Sequence, residues 1–110
     1  MIVLDIQLKV SPTQEQAFLD MYHQEYVPAL RRQTGYLGSL LLRVFPPDVT
    51  AEIGATAPHF DVILRLQFDT EENRRRWVAS DDHQRVWPQA LELSRQAEWV
   101  GYEVIGRDGE

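Results

Sequence analysis

Apolar and polar residues alternate along two separate stretches of the chain, residues 2–10 and 59–68. A period of two is typical of a β-strand with one buried face. The apolar positions are Ile2, Leu4, Ile6, Leu8 and Val10 in the first stretch and Phe60, Val62, Leu64, Leu66 and Phe68 in the second. The sequence therefore predicts two strands, each of which needs helices to cover its apolar face.

A helix is predicted after the first strand. Ser11 is placed as an N-cap and Gln14 as its capping-box partner. Pro28 lacks a backbone donor, so we expect the helix to kink or restart near Val27 before it ends at Gly35. The buried stripe of this helix contains Phe18, Tyr22, Tyr26 and Leu30.

A second, broken helix is predicted after the strand at 59–68. Thr70 is placed as the cap of a piece that runs to about Ala79, and Ser80 as the cap of a later piece that Pro88 interrupts. In the first piece, Glu71 and Glu72 stand four residues before Arg75 and Arg76, which favours a solvated helix face over a binding patch for this basic run.

Two more strands complete the pattern, at residues 36–45 and 98–105. Leu40, Leu41 and Leu42 are consecutive, so the first of these is predicted to be buried on both sides. Residues 46–58 are rich in Pro, Ala, Thr and Gly and are expected to form a loop or extended hairpin, either a lid or a clasp on a neighbouring chain.

The order β-α-β-β-α-β predicts an α+β, ferredoxin-like fold with a four-stranded antiparallel sheet and both helices on one face. The other face is then uncovered, and it is too apolar for water and too polar for a sealed core. A homodimer that pairs this face with its own copy would bury it. The residues assigned to this face are Val3, Asp5, Gln7, Ile63, Arg65, Gln67, Trp99, Gly101 and Ile105.

Length and charge limit the remaining possibilities. The 110 residues allow one domain, predicted at 1–105, with a flexible tail at 106–110. The formal net charge of -6 argues against a nucleic-acid partner. The chain has no cysteine, and its start shows neither a signal peptide nor a membrane span, so no membrane partner and a cytoplasmic location are expected.

Two segments resemble the antibiotic biosynthesis monooxygenase family of the dimeric α+β barrel superfamily. The run from Trp77 to His83 resembles the helix break of that family, and Tyr26 to Arg31 followed by Gly35-Tyr36-Leu37 is similar to its helix-to-strand junction. The resemblance covers nearly the whole chain and implies a dimeric α+β barrel. It also implies a range of activities, from cofactor-independent monooxygenases of aromatic polyketides and quinols to haem-degrading enzymes and isomerases.

The haem-degrading branch is disfavoured by two departures. Those enzymes pair a tryptophan that Trp77 matches with a later histidine, but Trp87 stands at that position. Their asparagine on the first strand has no match, because Asp5 and Gln7 stand nearby instead. The three histidines lack metal-site spacing and no glycine-rich phosphate loop is present, so no cofactor is expected.

A cofactor-free oxygenase needs a pocket for a phenol or enol, a base, and donors for the resulting anion. His83 is the candidate base, and His83 with Trp77 forms the predicted catalytic pair. The predicted substrate-binding residues are Tyr22, Tyr26, Trp87 and Arg65. Each has a structural alternative: His83 as a cap or core residue, the aromatic rings as plain core, and Arg65 as an ion-pair partner of Asp5 or Asp61.

Two functions therefore remain open at the level of sequence. One is a cofactor-independent monooxygenase of a small aromatic substrate, and the other is a non-catalytic dimer that binds a small apolar ligand. A cavity between helices and sheet with His83 or a tyrosine hydroxyl pointing inward would favour the enzyme, whereas a filled interior would favour the second function.

Overall fold

The computed structural model describes residues 1–109, and its elements follow the predicted order. The strands are β1 (Ile2–Lys9), β2 (Tyr36–Arg43), β3 (Val62–Phe68) and β4 (Gln96–Glu103). The α-helices are α1 (Glu15–Met21), α2 (Val27–Arg31), α3 (Pro47–Glu52), α4 (Glu71–Ala79) and α5 (Asp81–Glu92). A 3-10 turn at Pro12–Gln14 precedes α1, and a π-helical segment at Tyr22–Tyr26 joins α1 to α2.

The four strands form one antiparallel sheet in the order β2-β3-β1-β4. The registers place Ile6 opposite Leu64 on β3 and opposite Trp99 on β4. Residues that face each other across an antiparallel pair share one side of the sheet. The α+β, ferredoxin-like fold with an antiparallel four-stranded sheet is therefore confirmed.

The hydrophobic core lies between the helices and one face of this sheet. All five apolar positions predicted around β3 are buried, and Leu64, Leu66 and Phe68 are completely so. From the helices, Phe18, Tyr26, Leu30, Trp77, Val86 and Ala90 fill the same layer. Alternation along the strands thus identified the core face of the sheet, because burial on one side requires a period of two.

The first helical region is interrupted where Pro28 was expected to break it. The Val27 N–H donates to the Tyr22 carbonyl, five residues back, which is the hydrogen bond of a π-helix. Pro28 then begins the next α-helical turn as one of its first residues, where a missing donor costs little. Ser11 lies at the predicted N-cap position, directly before the 3-10 turn that Pro12 begins, but its side chain makes no capping hydrogen bond.

Three further predictions need correction. Trp99 and Gly101 lie on the helix side of the sheet, because they pair with Ile6 and Leu4. Strand β2 is an edge strand that is only partly buried, with Leu40 51% exposed. Residues 46–58 contain α3 instead of forming a plain loop.

The ends of the domain also differ slightly from the prediction. Strand β4 ends at Glu103, and Ile105 lies beyond it with its side chain almost fully exposed. Residues 106–109 have no regular secondary structure, and the last residue of the predicted tail, at position 110, lies outside the described residues. No helix within 1–109 combines the length and the apolar character needed to cross a membrane.

Candidate functional site

A cleft of about 190 Å³ opens between the helix layer and strands β1 and β4. The lining residues are Leu4, Ile6, Arg74, Val78, His83, Trp87 and Trp99. The helix side of β4 is left open here, and Trp99 on this strand is 61% exposed. It is mostly apolar and contains one imidazole and one guanidinium, a composition typical of small-molecule sites.

Ser80 positions the first turn of α5, where His83 lies. The Ser80 hydroxyl donates to the Trp77 carbonyl at 2.6 Å and accepts from the His83 N–H at 3.1 Å. The predicted cap at Ser80 is therefore confirmed, and so is the cap at Thr70, which accepts from the Asn73 N–H at 3.1 Å. The Ser80 side chain thus bonds to the last turn of α4, caps the first turn of α5, and so positions His83 at the cleft.

The His83 imidazole is held between aromatic rings instead of polar groups. Trp77 meets it edge-on with ring centres 5.0 Å apart, and Trp87 stacks nearly parallel to it at 6.1 Å. Its Nδ1 is buried and has no hydrogen-bond partner within residues 1–109. Burial lowers the pKa of His83 from its usual value of 6.5, because the charged form loses water.

Trp87 and Trp99 form the aromatic wall of the cleft. Their rings meet edge-on at 6.0 Å, which continues the contact from His83 outward to the surface. Trp77 is buried beneath His83 and is absent from the lining of the cleft. The predicted pair of His83 and Trp77 is therefore in contact, but Trp77 supports the imidazole instead of facing the cleft.

Arg74 is the cation at this site. Its Nε and one terminal nitrogen hydrogen-bond both carboxylate oxygens of Glu71, which raises the pKa of Arg74. The same residue lines a wider region of about 410 Å³ next to the cleft, between α4 and the ends of β1 and β4. Glu71, Tyr102 and Glu103 make that second region more polar.

Three predicted substrate-binding residues lie elsewhere. Arg65 is on the opposite face of the sheet, where its Nε and terminal nitrogen donate to both Asp5 oxygens at 2.8 and 2.9 Å. Tyr26 is buried in the core against Trp77, with ring centres 5.8 Å apart and a hydroxyl that no described residue hydrogen-bonds. Tyr22 points to β2, where its hydroxyl lies 2.6 Å from the Ser39 hydroxyl.

Sequence reasoning missed Trp99 and Arg74. Trp99 was assigned to the wrong side because β4 carries aromatic residues on both faces, so alternation alone does not select one. Arg74 belongs to a run of three arginines, of which Arg75 and Arg76 form the predicted ion pairs with Glu71 and Glu72, while the pair of Arg74 with Glu71 was not predicted. The sequence did contain a signal for Arg74. It stands one turn before Val78 and three residues before Trp77, and residues with these spacings are neighbours on the surface of a helix.

The remaining histidines do not join the cleft. His23 lies beside Tyr22, and His59 is exposed near the start of β3. In the part of the chain that the structure describes, no group of three His, Asp or Glu side chains is arranged to hold a metal ion.

Solved structures resemble this fold over nearly the whole chain. SnoaB, a cofactor-independent oxygenase from Streptomyces nogalater, superposes with a TM-score of 0.76 at 15% identity, covering 99% of this chain and 97% of that chain. A structure named antibiotic biosynthesis monooxygenase superposes with a TM-score of 0.69 at 15% identity, covering 96% and 100%. No protein-family model and no curated protein matches the sequence.

A further neighbour was solved with a bound porphyrin. MhuD, solved as a point mutant with two manganese protoporphyrin IX molecules bound per active site, superposes with a TM-score of 0.74 at 15% identity, covering 100% of both chains. One fold thus includes proteins with different ligands. The resemblance inferred from the sequence is confirmed at the level of the fold: this chain adopts the α+β fold of structures named antibiotic biosynthesis monooxygenases.

Proposed function

We propose that the protein is a cofactor-independent monooxygenase that acts on a small phenol, quinol or polyketide-like aromatic substrate, with His83 as the base. One observation carries this proposal: the His83 imidazole lies in an aromatic cleft with its buried Nδ1 unpartnered within residues 1–109. A buried nitrogen without a partner is costly, and such groups concentrate at functional sites.

The protonation state of His83 suits a base. Because burial lowers its pKa below 6.5, the imidazole is neutral at pH 7 and can accept a proton. The neighbouring rings of Trp77 and Trp87 contain no group that would accept the proton in place of His83. Since the His83 ring lines the cleft, a substrate hydroxyl bound there would be the group from which the imidazole takes a proton.

The oxidation needs no electrons from the protein. His83 removes a proton from the phenol or its keto tautomer, and the resulting carbanion reduces O₂ and forms a carbon–oxygen bond. The peroxide then loses water as its O–O bond breaks, so that R₂CH₂ + O₂ becomes R₂C=O + H₂O. The carbon loses four electrons and the two oxygen atoms gain four, which balances the reaction.

The size of the cleft agrees with an aromatic ring. An apolar cavity of roughly 150 Å³ is enough to bind benzene, and the space beside His83 measures about 190 Å³. Trp87 and Trp99 supply faces and edges for ring contacts. Additional fused rings would extend into the adjoining region of about 410 Å³.

Arg74 is the residue that we assign to the substrate anion, in place of Arg65. It lines both regions and keeps its charge, since its hydrogen bond to Glu71 stabilises the guanidinium. A fixed cation near a developing oxyanion lowers the barrier because it needs no reorganisation during the reaction. Arg74 would thus hold the anion that His83 creates.

We also propose that the working unit is a homodimer. The open face of the sheet carries Leu40, Leu42, Ile63, Val100 and Tyr102 around the Asp5–Arg65 ion pair. Leu40, Val100 and Tyr102 are exposed in the single chain, which favours a second copy as their cover.

The proposal is tested by oxygen uptake with a panel of hydroquinones and anthrones after extensive chelation. We expect turnover without added metal, flavin or haem, and we expect His83→Gln to lower kcat/KM by about 10² or more. His59→Gln is the matched control, since His59 is exposed and outside the cleft. For the wild-type protein, kcat/KM should rise with pH through a value below 6.5, because only the neutral imidazole accepts the proton.

Two results would contradict the proposal. If no substrate in the panel is oxidised faster than in buffer while one binds in the cleft, the protein is a ligand-binding dimer. If His83→Gln retains wild-type kcat/KM and the same pH profile, His83 is not the base.

A further inference from the structure

A second cavity lies on the opposite edge of the helix layer from the His83 cleft. It measures about 380 Å³ and is formed by the π-helical segment, α2 and the start of β2. The side chains that line it include Tyr22, His23, Val27, Arg31, Tyr36 and Ser39. Since β2 and β4 are the two edge strands of the sheet, this cavity is separate from the site of the proposed oxygenation.

Three hydroxyl groups meet at this cavity. The Tyr36 hydroxyl donates to Ser39 Oγ at 2.9 Å, and the Tyr22 hydroxyl lies 2.6 Å from the same oxygen. Three hydroxyl hydrogens are available for these two bonds, so either Ser39 or Tyr22 retains one hydrogen without an acceptor within residues 1–109. The cluster as a whole is therefore a hydrogen-bond donor.

The Tyr36 hydroxyl keeps its hydrogen at neutral pH. Tyr36 is half-buried, and this burial raises its pKa. The Tyr36 phenol therefore stays protonated and continues to donate to Ser39.

The charged groups at the cavity are basic. Arg31 lines it and forms no ion pair with the described residues, whereas most other arginines of the chain are paired with carboxylates. His23 packs edge-on against Tyr22 with ring centres 5.0 Å apart. No Asp or Glu is among the residues that line this cavity, so no carboxylate there would repel an anion.

The backbone at the cavity is irregular on both sides. The π-helical turn at Tyr22–Tyr26 carries Tyr22 and His23, and π-helical turns occur frequently at functional sites. Across from it, the register of β2 shifts between Tyr36 and Gly38, and such bulges redirect side chains next to binding sites. The two irregularities include Tyr22, His23 and Tyr36, and Arg31 and Ser39 lie a few residues beyond them.

We propose that this cavity binds the carboxylate of a small organic acid. The spare hydroxyl hydrogen of the Tyr22–Ser39–Tyr36 cluster and the Arg31 guanidinium donate to the carboxylate oxygens. Val27 and Leu37, which also line the cavity, contact the apolar body of the acid. This assigns Tyr22 to a ligand site that is independent of His83.

The probe is benzoate, added to the intact protein and followed by amide NMR shifts. We expect saturable shifts at residues 22–23 and 36–39, and smaller or no shifts for benzamide, which has the same shape without the charge. Inorganic phosphate is measured as well, because the same donors could bind a phosphate instead of a carboxylate. Equal binding of benzamide, or tighter binding of phosphate than of benzoate, would overturn the assignment to an organic carboxylate.

Variants separate this site from the cleft. Arg31→Gln and Ser39→Ala should each weaken benzoate binding about tenfold or more. The first variant removes the charged donor to the carboxylate, and the second removes one hydroxyl of the donating cluster. Arg76→Gln is the matched control, because Arg76 is an exposed arginine on α4. If Ser39→Ala fails to fold, Tyr36→Phe tests the same cluster. Unchanged affinity in the folded variants, or shifts confined to residues 74–99, would refute the proposal.

Discussion

At the scale of the residue, two buried polar atoms have no hydrogen-bond partner in residues 1–109. They are His83 Nδ1 and the Tyr26 hydroxyl. The His83 ring lines the cleft, whereas Tyr26 is completely buried and lines neither the cleft nor the two larger cavities. Burial also raises the pKa of Tyr26, so its phenol remains neutral and is unsuited to act as a base.

Removing the Tyr26 hydroxyl should therefore help the fold. We expect Tyr26→Phe to raise the free energy of unfolding by up to about 1 kcal/mol, because an unsatisfied buried hydroxyl is destabilising. Tyr22→Phe is the comparison, and it should lower stability by about 1 kcal/mol since its hydroxyl is bonded to Ser39. Urea unfolding measures both. A clear loss of stability in Tyr26→Phe would mean that its hydroxyl has a partner in solution.

At the scale of the element, the break between α4 and α5 shapes the cleft. The Ser80 hydroxyl bonds to Trp77 on one side and to His83 on the other, so both ends of the break depend on one side chain. The break lets α5 change direction over the sheet while Trp77 remains packed beneath His83.

The two predicted serine caps allow a matched comparison. Ser80→Ala should cost about 1 kcal/mol of stability, as expected for an N-cap that accepts a backbone N–H bond. Ser11→Ala should cost close to nothing, because the Ser11 side chain makes no capping hydrogen bond. Denaturant melts of both variants check this difference. Equal losses in the two variants would contradict the assigned role of Ser80.

At the scale of the whole molecule, the open face of the sheet is the surface that we propose for the dimer contact. Asp5 is buried on that face even in the single chain, because the Arg65 side chain covers it. An ion pair with both carboxylate oxygens bonded costs less to bury than either charge alone would. This pair makes the face compatible with a two-fold contact.

We expect the protein to sediment as a dimer at micromolar concentration, and Leu40→Glu to convert it to a monomer. Leu40 is 51% exposed on the open face, where a carboxylate would have to be buried on association. Leu91→Glu is the control, since Leu91 is 43% exposed on α5 and should tolerate the charge. A folded wild-type monomer in sedimentation, or a dimer that survives Leu40→Glu, would refute this interface.

The local pattern of the sequence determined the fold. Alternation identified the core face of β1 and β3, because a strand buried on one side must repeat every two residues. Pro28 predicted the change in the first helical region, since proline removes a donor at a known position. Ser80 and Thr70 identified two helix starts through their short polar side chains. Each of these effects acts within a few residues along the chain.

Tertiary structure alone decided which of the candidate residues share a site. Trp99 reaches Trp87 because β4 pairs with β1 in one register, and a shift by one residue would have turned it to the open face. Arg65 and Arg74 are both arginines near apolar residues, and only the packing of α4 over the sheet brings Arg74 to the cleft. Such choices depend on contacts between distant parts of the chain, which periodicity and capping do not encode.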